Sequence, residues 1–182
     1  MMGIGCERAE VSSIKLPREV PITSPAFRLI DITAGCPNTP AMSDTIYPRS
    51  PRETMCGWMH LPRYIDKIRL QLAGRLAPAY QGNLGKGFDE GWLKAAGLTH
   101  EQFVEVVRNS ITDGEVADWV LKHVHRTEEE KAAHRAGMFN YPAADDARMQ
   151  ERLALRKKES GLEDRHDIQT FVDYIDADEG RK

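Results

Sequence analysis

Cysteine is scarce in this chain and follows no pattern. Cys6, Cys36 and Cys56 make an odd count, with no Cys-x-x-Cys spacing and no neighbouring His pair. This argues against a disulfide framework and a closed zinc site, and for a reducing cytoplasm. Long apolar runs are missing as well: none approaches the roughly 18 residues that a membrane span requires. The stretch FRLIDI before TAGC at Thr33–Cys36 is interrupted by Asp31. It is therefore too short for the apolar core of about 7 to 15 residues that a secretion signal needs. No large excess of charge has one sign either. The formal net charge is -3, which gives no global reason to bind nucleic acid or a membrane surface.

What is present is a globular composition, 41% hydrophobic and 29% charged over 182 residues, enough for one domain with appendages. The chain divides into two regimes. Residues 1–41 hold Pro17, Pro21, Pro25, Pro37 and Pro40 without a sustained period of 3.6 or 2. Such a stretch is expected to be a disordered leader, and Met42 opens MSDTIYPRSPRE, which reads as the start of a cytoplasmic protein. From residue 60 onward helix signals are dense. Leu61, Ile65, Ile68, Leu72 and Leu76 form one apolar stripe, with Pro62 in the first turn and Pro78 as the stop. QGNLGKG (81–87) reads as a glycine-rich turn, and Asp89 as the cap of a short helix carrying Trp92 and Leu93. Thr99 with Gln102, Thr112 with Glu115 and Thr127 with Glu130 match the reciprocal capping box. Two further helices are expected, at about 144–159 and 164–176. No segment alternates as a strand. The expected fold is all-α: a compact bundle of six to seven short helices with an extended Pro-rich arm. Its domains are a leader (1–41), a helical core (42–142) and a C-terminal helical extension packing on the core (143–182).

The arm, from Tyr47 to His60, carries Pro48, Pro51, Trp58 and Met59, which are costly to leave in water. From Tyr47 to Arg75 six basic residues face two acids, whereas Glu163–Lys182 has seven acids and three bases. The molecule is thus electrically lopsided. Projected at 100° per residue, Arg63 falls at about 200° from Leu61, Lys67 at about 240° and Asp66 at about 140°, away from the apolar stripe. If the arm folds over that face, Arg49, Arg52, His60, Arg63 and Lys67 converge into a site for a small anion. Arginine forks suit carboxylate or phosphate, and the helix N-terminus adds partial positive charge. His60 has the chemistry of a proton donor near neutral pH. The same residues also fit an interaction module, with Trp58 as anchor against a protein partner or a second copy of the chain.

Other motifs carry less. GNLGKG lacks the spacing and the preceding strand of a phosphate loop. His123, His125 and His134 are close in sequence but do not form a convergent ligand set, so neither metal nor cofactor is expected. Cys56 reads as a small buried hydrophobe. Too few aromatics accompany the basic patch for nucleic acid. No nucleophile–base pairing or carboxylate dyad marks a reaction, and whether the protein is an enzyme stays open.

At YPRSPRE, HLPRYIDKIR, GFDEGWLKAAGL and TDGEVADWVLKH the chain resembles the bacterial domain-of-unknown-function family numbered 5069, over about residues 46–140. The most specific part is SPRE (Ser50–Glu53) followed by HLPRxIDKxR (His60–Arg69). The resemblance implies a compact helical domain and brings no reaction with it.

Overall fold

The computed structural model describes residues 45–182, and the expected leader at 1–41, with Cys6 and Cys36, lies outside them. The arm comes first. It buries Pro48 and Pro51 and then turns back on itself as a minimal hairpin, β1 (Thr54–Met55) against β2 (Trp58–Met59), antiparallel with Met55 opposite Trp58. Cys56 (φ 54°) and Gly57 (φ 79°) supply the two left-handed residues of the connection. Consecutive left-handed residues give the turn a twist that matches the strands. With two residues a strand, the hairpin is too short to show alternation in sequence. It is the sole sheet among the described residues, and the fold is all-α.

Eight helices follow among the described residues. α1 (Leu61–Leu72) buries Leu61, Ile65 and Ile68, but ends before the expected stop: Leu72 is 44% exposed where the helix outruns the core. Pro78 opens rather than ends a helix, the single turn α2 (Pro78–Gln81). α3 (Phe88–Ala96) is capped by Gly87, so Asp89 lies inside its first turn and not at the cap. α4 (His100–Arg108), α5 (Asp113–His123) and α6 (Glu128–Phe139) each begin at the expected capping box, with Thr99, Thr112 and Thr127 accepting from the N3 backbone. α7 spans Ala147–Glu159. α8 (Phe171–Asp178) starts later than expected because a fourth box, Thr170 with Asp173, fixes its N-terminus. The short acid replaces the usual Glu or Gln there, which hides the motif in sequence.

α1 is the central element. It packs against α3 and α4, and α6 closes over α3 and the hairpin. Trp58, Tyr64, Ile65, Ile68, Trp92, Phe103, Val107, Val116 and Val120 form the main core. Trp92 and Phe103 meet at 4.5 Å between ring centroids, and Tyr64 meets Phe103 at 5.3 Å. A smaller cluster of Met59, Met138 and Val172, with Phe88 against it, joins the hairpin to α6 and α8. No helix among the described residues is long and apolar enough to cross a membrane.

Phe103, fully buried in the main core against Tyr64 and Trp92, leaves a cavity when shortened. Phe103→Ala should cost about 3–5 kcal/mol in urea unfolding. Ile111→Ala, at a side chain 88% exposed, should stay within about 0.5 kcal/mol.

Candidate functional site

Asp89 is fully buried, an expensive place for a carboxylate. It sits in the first turn of α3, where the helix dipole favours negative charge, and three donors converge on it. His60 Nε2 is 2.7 Å from Oδ1, Lys67 Nζ donates to Oδ2, and the Gly85 backbone N–H donates to Oδ2 at 2.9 Å. Burial alone would raise the Asp89 carboxyl, but the His60 hydrogen bond and the Lys67 charge overcome it and hold the pKa below the usual carboxylate range. Gly85 has φ 74°, and a Cβ there would lie 2.8 Å from His100 Nδ1. The glycine-rich loop therefore serves Asp89 and crowds His100, which in turn bonds the Tyr64 hydroxyl at 2.6 Å.

His60 takes a left-handed conformation (φ 74°) immediately before α1, uncommon for a residue with a Cβ. It is 2% exposed, and burial pushes its pKa down to about 4. At neutral pH it is therefore uncharged, contrary to the proton-donor role expected from sequence. An ionised carboxylate only accepts, so the ring proton lies on Nε2 toward Asp89. This leaves Nδ1 as a lone-pair acceptor, and that atom is buried with no partner among the described residues.

The helical projection points Arg63 and Lys67 away from the apolar stripe, and the structure nevertheless buries both, at 3% and 6% exposure. The projection was right about direction. The face is covered because the acidic C-terminal segment and the arm fold over it. Arg63 grips Glu179 with both ends of its fork, at 2.5 and 2.9 Å, and donates to the Arg49 carbonyl at 2.8 Å. Tyr80 adds its hydroxyl to Glu179 at 2.5 Å. The Glu179 carboxyl, opposed by burial, is held below its ordinary range by the Arg63 fork. Arg52 reaches Asp173 (2.6 Å) and Asp176 (2.9 Å), while Arg49 pairs with Asp66 and Asp113, both at 2.8 Å.

Three of the five expected residues, His60, Arg63 and Lys67, line a pocket of about 850 Å³; Arg49 and Arg52 do not. The buried side of this pocket also presents Asp89 and Met138, and Phe88, Tyr141 and Phe171 add aromatic surface. Phe88 meets Tyr141 at 5.8 Å and Tyr141 stacks on Phe171 at 5.4 Å. Exposed Lys86, Arg152 and Arg156 complete the lining, which holds five cationic side chains against three carboxylates. His134 also lines it. The Met59 backbone hydrogen-bonds that imidazole, and its Nε2 is buried without a partner among the described residues. A second groove of about 840 Å³, including Phe139, Pro142, Lys157 and Ile168, contains no such unpartnered atom.

Sequence reasoning missed Glu179, Tyr141 and Arg152, took Asp89 for a cap and set Lys86 aside. The opposed charge of arm and tail was the signal for Glu179; the others have none in sequence. Trp58, the anchor of the alternative interaction reading, is 1% exposed and packs on Trp92 and His134 within the chain. Cys56 donates to the Ala117 carbonyl at 3.6 Å, and burial pushes its thiol up. His123 stacks on Trp119 at 4.5 Å. Among the described residues no three His, Cys, Asp or Glu side chains are placed to hold a metal ion.

Residues 45–181 match the family model described as Domain of unknown function (DUF5069). The match continues past residue 140 and includes the acidic segment that pairs with the arm. No curated protein matches the chain.

Arg63→Ala leaves the buried Glu179 carboxylate only Tyr80 and the partly exposed Arg181, and should cost about 3 kcal/mol in urea unfolding. Arg52→Ala removes a partly exposed cation but leaves the buried Asp176 to Ser50 and Arg181, and should cost less than Arg63→Ala, on the order of 1–2 kcal/mol. The pH dependence has a definite sign. Unfolded His60 binds a proton near pH 6.5, whereas folded His60 resists until about 4. The unfolded state thus holds more protons in that window, and stability rises with pH through it, by at most about 3 kcal/mol. Below it, stability falls further as Asp89 and Glu179, both depressed in the folded state, are protonated. Urea unfolding at pH 7 and 4.5 should show the loss, and His60→Asn should flatten it.

Proposed function

We propose that this chain, which belongs to the DUF5069 family, binds a small anionic ligand in the pocket between α1, α3, α6 and α8. The observation that carries the reading is a division among the cations. Arg49, Arg52, Arg63 and Lys67 are each neutralised by the protein's own carboxylates. Lys86 and Arg152 make no ion pair among the described residues, and both line the pocket. An incoming carboxylate or phosphate therefore finds its charge partners at the exposed edge, at Lys86 and Arg152, with Arg156, which pairs with Glu159, beside them. Phe88, Tyr141 and Phe171 offer apolar surface for the rest of the molecule, in the pattern of ligand sites with a few placed polar groups.

The expectation from sequence is thereby moved rather than kept whole. His60, Arg63 and Lys67 shape the buried side, and the residues that meet the anion lie on α7 and in the glycine-rich loop. The free thiol of Cys56 accords with a cytoplasmic location, which belongs to this reading, as does a bacterial source.

Thermal-shift measurement against a set of anionic metabolites tests the reading. A ligand at 100 times its Kd stabilises by about 2.7 kcal/mol. Stabilising anions should lose most of their effect on Arg152→Ala, while that exposed substitution leaves the unliganded melting temperature within about 2 °C. If no anion stabilises the protein, or if Arg152→Ala responds like the parent, the site is misassigned.

A further inference from the structure

We infer that the occupant of this pocket carries a hydroxyl or amino hydrogen-bond donor at the end away from its anionic group, and that His60 Nδ1 accepts from it. The inference rests on the anion reading above and adds a second, independent requirement on the ligand. Three observations meet at His60. The side chain lines the pocket while being 2% exposed. Its Nε2 is committed to Asp89, which fixes the tautomer and leaves Nδ1 an acceptor. Nδ1 is buried and unpartnered among the described residues, a condition that native interiors avoid. A strained left-handed backbone holds the ring in this place.

A lone pair of this kind selects for donors and against groups that only accept. Lys67, bound to the same carboxylate, can only donate, and a hydroxyl satisfies both neighbours by accepting there while it donates to Nδ1. The ligand class that fits is a ring or chain that can lie along Phe88 and Tyr141, anionic at the Arg152 end and bearing O–H or N–H at the His60 end. Sites built to hydrogen-bond a substrate hydroxyl discriminate strongly against the analogue lacking it, because their own polar group is then left unpaired.

The test is isothermal titration of the full chain with three matched probes: phenyl phosphate, 3-hydroxyphenyl phosphate and 4-hydroxyphenyl phosphate. At least one hydroxylated probe should bind about fivefold or more tighter than phenyl phosphate, in the parent and in His134→Phe alike, and Arg152→Ala should weaken all three. Varying the ligand rather than His60 avoids a variant that fails to fold. Equal affinity for all three probes, still lost in Arg152→Ala, would mean that water satisfies Nδ1; the inference would then fall and the anion site stand. A preference that disappears in His134→Phe would place the donor on His134 Nε2 and overturn the assignment to His60. Binding of none of the probes would remove the anion site and the inference with it.

Discussion

The structure turns on one buried carboxylate. Asp89 has no exposure, and its oxygens bind three parts of the chain at once: His60 from the end of the arm, Lys67 from α1 and the Gly85 amide from the glycine-rich loop. Removing a charge from water costs several kcal/mol unless geometry and added hydrogen bonds offset it. Asp89 therefore tolerates only an arrangement in which all three donors arrive together. That requirement sets where the arm joins α1, forces His60 into its left-handed conformation, and decides which imidazole nitrogen stays free.

A second pairing completes the enclosure. The arm and α1 together are locally basic and the C-terminal segment locally acidic, and they pair across: Arg63 of α1 with Glu179, Arg52 of the arm with Asp173 and Asp176. These pairs differ in weight. Arg63 and Glu179 are both desolvated, so losing Arg63 leaves the carboxylate only Tyr80 and the partly exposed Arg181. Arg52 is itself partly exposed, and its pairs with Asp173 and the buried Asp176 weigh less. The consequence for function is a sorting of cations. Those inside are consumed by structure, whereas Lys86 and Arg152 at the pocket's edge make no ion pair among the described residues.

Much of the fold was legible in sequence because its signals are local. Thr99, Thr112 and Thr127 each announce a helix start by a pairing three residues apart, and Leu61, Ile65 and Ile68 announce the buried face of α1 by their period. The hairpin was illegible because Cys56-Gly57 is an unusual left-handed pair and the strands are two residues long. The site was half legible. Arg63 and Lys67 could be placed together from the helical projection, and His60 with them once the arm folds over that face, but not their burial, which depends on Asp89 and Glu179 from distant parts of the chain. Asp89 looked like a cap because an acid at a helix start usually is one. Tyr141 and Arg152 become pocket residues only through tertiary packing, and no local pattern marks them.

The central claim is that His60 is a neutral, Asp89-bound imidazole with its proton on Nε2 and its Nδ1 free. Histidine ¹⁵N–¹H correlation spectra of the full chain across pH test this most directly. The account predicts that one of the six imidazoles keeps the Nε2-protonated, neutral signature from pH 7.5 to about 5, and that this signal is absent in His60→Asn. A His60 that titrates near pH 6.5, or that carries its proton on Nδ1, would contradict it.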